Sequence, residues 1–238
     1  MPHRSRLPGV RAFLAALSPS QPPWHTQRVG TPVLNVVRPL IHGVARVYWK
    51  IQLEGTHHIP TAGPLIIAPN HVTYADPVLV CIPIRFAVHF MAWDALFRIP
   101  GFSWLIRRLR AFPVQIDSAD PRSTREAVRL LQAGSALMIF PEAGRTPDGR
   151  LQRFRPGAFR LACSLKVPVL PVTILGGHAS WPPGRMLPRP GQLRIVYHPV
   201  VAPPEEPDPR VAARQLATQV RDAIAASLPE GERFEAGT

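Results

Sequence analysis

The chain has 238 residues, 46% of them hydrophobic, enough to bury one sizeable core or one core with a small appendage. A formal net charge of +13, carried almost wholly by arginine, calls for a polyanionic partner: nucleic acid, an anionic membrane surface or a phosphorylated substrate. Thirty prolines argue against a helical bundle, and with no run of about 18 apolar residues no membrane-spanning helix is expected.

The opening stretch "MPHRSRLPGVRAFLAALSPS" has a short apolar part broken by Arg11 and no clear small-x-small cleavage site, so it reads as a surface arm rather than a signal peptide. Residues 31–50, "TPVLNVVRPLIHGVARVYWK", carry a helical pattern. Arg38, His42, Arg46 and Lys50 recur every four residues as a basic stripe, while Val33, Val37, Ile41, Val44 and Tyr48 lie largely on another face. Pro39 and Gly43 weaken the pattern. A basic amphipathic helix ending in Tyr48-Trp49 suits a membrane interface, where indole and phenol rings favour the headgroup boundary. The competing reading is a helix packed on the domain with its charged face in water. The expected organisation is therefore an N-terminal arm and membrane-associating helix over 1–50, and one domain over 51–238.

From residue 64 apolar runs alternate with helical segments. "PLIIA" (64–68), "FAVHFMA" (86–92), "AFPVQI" (111–116), "ALMIFP" (136–141), "PVLPVTI" (168–174) and "QLRIVYH" (192–198) read as strands. Between two of them, Asp120 is placed to cap a helix that begins at Pro121 and stops at Gly134, with Arg122, Arg125 and Arg129 on a solvated face. "PPEEPDP" (203–209) is a linker to a last amphipathic helix over 211–228, with Leu216, Val220, Ile224 and Leu228 inward. This alternation predicts an α/β fold: a single-domain mixed, largely parallel sheet flanked by helices, with the amphipathic N-terminal segment attached. Cys81 and Cys163 stand alone in apolar surroundings and read as buried thiols. The pair His57–His58 has no cysteine or carboxylate spacing to complete a metal site, so no metal is expected.

The chemistry gathers at "PNHVTYADP" (69–77). Histidine is the side chain best suited to take a proton near neutral pH, and a carboxylate can fix its tautomer and stabilise the imidazolium. His71 follows a strand end, where α/β folds place ligand sites. Asp76 precedes Pro77 and could equally cap the helix that begins "PVLV". Downstream, "IFPEAGRTPDGRLQRFRPGAFRLA" (139–162) follows another strand with a short turn holding Glu142, Gly144, Arg145 and Thr146, and "KVPVLPVTI" (166–174) follows that.

These three blocks, in this order, resemble the glycerolipid acyltransferase family that includes the lysophosphatidic acid acyltransferases. That family carries an Asn-His-x-x-x-x-Asp block, a later Phe-Pro-Glu-Gly-x-Arg block and a Val-Pro-Val-x-Pro strand. The resemblance covers roughly residues 53–203. It implies that His71 is the general base that deprotonates an acceptor hydroxyl and that Asp76 orients it. The donor would be acyl-CoA or acyl-acyl carrier protein, with no other cofactor and no acyl-enzyme. Glu142, Gly144, Arg145 and Thr146 would hold the glycerol and phosphate of the acceptor. The role suits Arg145, whose planar fork binds phosphate through two donors.

The chain departs from the family in places. It reads Glu142-Ala143-Gly144-Arg145 where the family usually has Glu-Gly-x-Arg, as if the flexible position had moved by one. Trp93 stands where lysine is frequent, and Gln115 and Ile116 where arginines are common; Arg107, Arg108 and Arg110 are near enough in sequence to compensate. The acceptor is therefore open. The expected function is acyl transfer to a lysophospholipid, 1-acyl-glycerol 3-phosphate first, giving phosphatidic acid in phospholipid biosynthesis. Its partners would be a membrane lipid acceptor and an anionic membrane surface, on the cytoplasmic face and attached peripherally. The alternatives are another lysolipid or glycolipid acceptor, or a catalytically silent lipid-binding protein. No nucleic-acid binding motif accompanies the charge.

Overall fold

A computed structural model describes residues 32–114 and 121–233. The arm over 1–31, the expected cap Asp120 and the positions Gln115 and Ile116 lie outside the described residues.

The most apolar run explains the architecture. β2 (Leu65–Pro69) is buried at every position. Its side chains alternate between two cores: Leu65 and Ile67 enter one hydrophobic cluster, and Ile66 and Ala68 the other. A strand buried on both faces needs no polar alternation and belongs in the middle of a helix-covered parallel sheet. It pairs in parallel with β5 (Ala136–Met138) on one side and β6 (Val169–Leu175) on the other. The seven strands run in the order β1-β7-β6-β2-β5-β3-β4, completed by β1 (Gln52–Glu54), β3 (Val88–Trp93), β4 (Ala111–Val114) and β7 (Arg194–Tyr197). All pairs are parallel except β6 with β7. The result is the single, largely parallel α/β sheet that the alternation predicts.

One face is covered by α4 (Pro121–Gln132), α5 (Gly157–Leu165) and α7 (Pro209–Ser227), which bring Ala127, Leu131, Phe159, Ala162, Leu216, Val220 and Ile224 to the core. α7 starts where its chemistry dictates: the Asp208 carboxylate accepts from the Arg210 amide at 2.7 Å, and Pro209 occupies the first turn. Gly134, at φ +78°, turns the chain out of α4, and Arg122, Arg125 and Arg129 are exposed, as their spacing predicts. The other face carries α1 (Pro32–Tyr48) and the short helices α2 (Asp76–Val80) and α3 (Phe102–Arg108). A further short helix, α6 (Gly177–Ser180), follows β6.

The structure corrects one strand boundary and adds elements. β5 ends at Met138 rather than Pro141, because the chain turns at once into the loop that carries Glu142. β1, α3, α5 and α6 were not foreseen. Among the described residues of α1 the buried one is Ala45, joined by Trp49 just past the helix end, while Arg38, Ile41 and His42 are half-buried. Burial pushes the Arg38 guanidinium down from its ordinary range. The basic stripe is thus solvated only at Arg46 and Lys50, while Leu40, Val44 and Val47 face outward. No described helix is long and apolar enough to cross a membrane.

Candidate active site

At the end of β2 the ladder is continued by a side chain. The Asn70 amide donates to the Ile174 carbonyl at 3.0 Å, and its oxygen accepts from the Ile174 N–H at 2.7 Å. Residue 70 is thereby fixed to β6, and the next residue, His71, leaves the sheet from a known point. Its own peptide is held on both sides: the N–H donates to Glu142 Oε1 at 2.7 Å and the carbonyl accepts from the Thr146 N–H at 2.8 Å.

Asp76 is fully buried. Its Oδ2 accepts from the Val72 N–H at 2.7 Å, the Thr73 N–H at 2.8 Å and His71 Nδ1 at 2.9 Å, while Oδ1 takes the Thr73 hydroxyl. It stands inside the first turn of α2, after Ala75, and reaches back rather than capping the helix. The capping role considered from sequence is therefore replaced by a stronger one, since a buried carboxylate needs this many donors to stay charged. The imidazole stacks on Phe140, ring centroids 3.9 Å apart and 22° from parallel. With Nδ1–H committed to Asp76, Nε2 is the nitrogen without a partner among the described residues, on a side chain 18% exposed. Such a ring can take a proton at Nε2 and share the resulting charge with the carboxylate behind it.

The second block meets this loop from β5. Glu142 is buried, and both its oxygens are used, Oε1 by His71 N–H and Oε2 by Gln152 N–H at 2.8 Å. Burial pushes its carboxyl up to about 8, outweighing the two amide donors, which favour the charged form. Thr146 is buried as well; its hydroxyl donates to Asp148 and accepts from the Gly149 N–H at 3.1 Å. Gly144 is exposed. Of the four residues expected at the acceptor, Arg145 is the one whose charge lies open: half-buried, its guanidinium rests 3.5 Å from the Tyr74 ring centroid. One of its nitrogens, Nη1, is buried without a hydrogen-bond partner among the described residues. Tyr74 in turn lies 5.5 Å from the Trp181 ring.

Sequence reading passed over Asn70, Thr73, Tyr74, Phe140 and Gln152 as site residues, although all five stand in the quoted blocks. It also misplaced the flexible position. Ala143, not Gly144, holds the left-handed conformation at φ +59°. Arg107 and Arg108 are exposed on α3, their guanidinium groups 4.9 Å from the Phe97 and 5.0 Å from the Trp104 ring centroid. The Cys81 thiol is pushed up to about 12 by burial, and Cys163 is raised for the same reason, so neither is an activated nucleophile.

The Acyltransferase family model matches residues 50–175. A chloroplastic 1-acyl-sn-glycerol-3-phosphate acyltransferase of Arabidopsis thaliana is 28% identical over 187 residues, 76% of this chain and 50% of that protein. The 1-acyl-sn-glycerol-3-phosphate acyltransferase of Bacillus subtilis is 28% identical over 165 residues, 68% of this chain and 76% of that one. The chain thus spans about half the length of the chloroplastic relatives it matches. The crystal structure of the 1-acyl-sn-glycerophosphate acyltransferase of Thermotoga maritima superposes with a TM-score of 0.68 at 27% identity, covering 82% of this chain and 80% of that one.

Two outcomes follow for the loop. Ala143→Gly removes a side chain from a left-handed residue and should stabilise the fold by about 1 kcal/mol in denaturant unfolding, whereas Gly144→Ala should gain nothing of the kind. The raised Glu142 carboxyl favours the fold in its protonated form. That contribution is whole below the ordinary carboxylate range and is lost as pH rises through about 8. The stability of the wild type relative to Glu142→Gln should therefore fall steadily between pH 5 and pH 8, roughly the interval between the two values; a difference independent of pH would contradict the assignment.

Proposed function

The chain belongs to the acyltransferase family, and from that premise we propose that it moves a fatty acyl group from acyl-CoA or acyl-acyl carrier protein to the free hydroxyl of 1-acyl-glycerol 3-phosphate, giving phosphatidic acid. The observation that carries the proposal is the His71 imidazole, tied to buried Asp76 through Nδ1 and open at Nε2. Nε2 takes the hydroxyl proton as the acceptor oxygen attacks the thioester carbonyl. The tetrahedral adduct collapses with loss of the carbon–sulfur bond, and the imidazolium returns the proton to the departing thiolate. Asp76 holds the ring in the required tautomer and balances its charge in between. Donor and acceptor are both substrates, and the step needs no resident cofactor.

The names of the relatives support a glycerol phosphate acceptor, as does Arg145. Its guanidinium is half-buried, and the buried Nη1, without a hydrogen-bond partner among the described residues, suits an incoming anion. In this reading Glu142 and Thr146 shape the loop that presents Arg145, and Gly144 leaves the backbone approachable. Residues 51–238 form the catalytic domain. The segment 1–50 attaches it to the cytoplasmic face of a membrane through the outward Leu40, Val44 and Val47 and the cations Arg46 and Lys50. Exposed Trp104 under Arg108 suits the same surface.

Purified protein with labelled acyl-CoA and a panel of lysolipids, products resolved by mass, tests the proposal. Labelled phosphatidic acid should dominate, and its absence with every donor would end the reading. His71→Ala should lower turnover by roughly a hundredfold to ten-thousandfold, the usual contribution of a positioned base. Asp76→Asn should be strongly impaired too, since its carbonyl oxygen can still accept from the two backbone N–H groups but the neutral amide cannot balance the imidazolium. Arg145→Ala should chiefly raise the acceptor KM, with Arg145→Lys a partial rescue. An equal effect on a phosphate-free acceptor would count against the phosphate contact.

A further inference from the structure

We propose that the loop joining α6 to β7, whose root at Trp181 lies against the Tyr74 ring that carries Arg145, inserts its tip, Met186–Leu187, into an anionic lipid surface. The inference rests on the acceptor being a membrane lipid, and goes beyond the helix that precedes the domain. Met186 and Leu187 are 85% and 69% exposed. Single exposed apolar residues are common and mean little. This pair differs because the loop beneath it is built to keep it out.

The loop is braced at both ends. Trp181 Nε1 donates to the Arg185 carbonyl at 2.9 Å, the Arg185 guanidinium donates to the Leu187 carbonyl at 2.9 Å, and the Arg189 N–H returns to the Ser180 carbonyl at 2.8 Å. From α1 the Tyr48 hydroxyl donates to the Pro188 carbonyl and the Trp49 indole to the Arg189 carbonyl, each at 3.0 Å. Four prolines, Pro182, Pro183, Pro188 and Pro190, stiffen the backbone between these points. A tip held this way meets a bilayer with little ordering left to do. The end of α1 that holds it also carries Val47, 84% exposed, so loop and helix offer their apolar groups side by side.

Charge selects the partner. Residues 182–192, "PPGRMLPRPGQ", contain Arg185 and Arg189 and no acidic residue, and Arg46 and Lys50 lie exposed at the adjoining end of α1. Cations around an apolar tip match anionic headgroups around an acyl layer. The root of the loop reaches the site: the Trp181 ring lies against Tyr74, which carries Arg145. Insertion of the tip would set Arg145 near the level of lipid phosphates.

The full chain is compared with Met186→Asp/Leu187→Asp by sedimentation with vesicles of phosphatidylcholine and phosphatidylglycerol in equal parts. Loss of two buried apolar side chains should weaken binding by about tenfold or more. Acylation of vesicle-borne acceptor should fall with it, while acylation of a short-chain acceptor below its micellar concentration is unchanged. Arg46→Gln/Arg189→Gln, which leaves the bracing Arg185 in place, should weaken binding to these vesicles and not to pure phosphatidylcholine. Undiminished vesicle binding by the Asp variant overturns the proposal, as does a change in its sedimentation without lipid, which would make the tip a contact between copies. Binding needs no turnover, so a protein that binds through the tip yet acylates nothing would sink the enzymatic reading and leave this one standing.

Discussion

The carboxylate of Asp76 has no contact with solvent, and its hydrogen bonds all go to residues 71–73. Removing a charge from water costs several kcal/mol unless donors surround it, so the chain must wrap those residues around the carboxylate or lose the charge. Wrapping them fixes the backbone of the loop, and fixing the backbone sets the imidazole. Glu142 does the same from the opposite side, joining the His71 amide to the Gln152 amide. The proposed base is thus gripped by its peptide, its ring nitrogen and its ring face, the last against Phe140.

The sheet gives this arrangement its foundation. β2 lies at the centre, paired on both sides and packed on both faces, and the Asn70 side chain extends its pairing with β6 by one more residue. The loop is closed from beneath by Gly177 of α6: a Cβ there would lie 2.5 Å from Val72 Cγ2. Only glycine permits so close an approach. The ends of β2, β5 and β6 therefore converge on one small region, where parallel α/β sheets place their chemistry.

Much of the architecture was legible because burial on both faces writes continuous apolar runs into β2 and β6, and a regular stripe of Leu216, Val220 and Ile224 into α7. β1 was not, since three residues at an edge, two of them exposed, carry no period. The packed side of α1 was not legible because the choice falls to its neighbours: the Trp49 indole finds the Arg189 carbonyl, and Ala45 is buried with it. In the site, residue types pointed to His71 and Asp76 because their chemistry lies in their side chains. Glu142 and Thr146 read alike as ligand groups, yet their polar atoms are taken up by backbone amides and a neighbouring carboxylate. A motif lists polar side chains without saying which are already satisfied. The placing of backbone freedom at Gly144 failed for a related reason: the turn geometry assigns the left-handed residue, and it falls on Ala143.

The account depends on one proton. Nitrogen NMR of the His71 ring in the resting protein, above the pH at which the ring loses its charge, reports directly which nitrogen carries it. The carboxylate of Asp76 requires hydrogen on Nδ1 and a bare Nε2. Hydrogen on Nε2 with a bare Nδ1 would leave the ring unable to accept the acceptor's proton and would contradict the account.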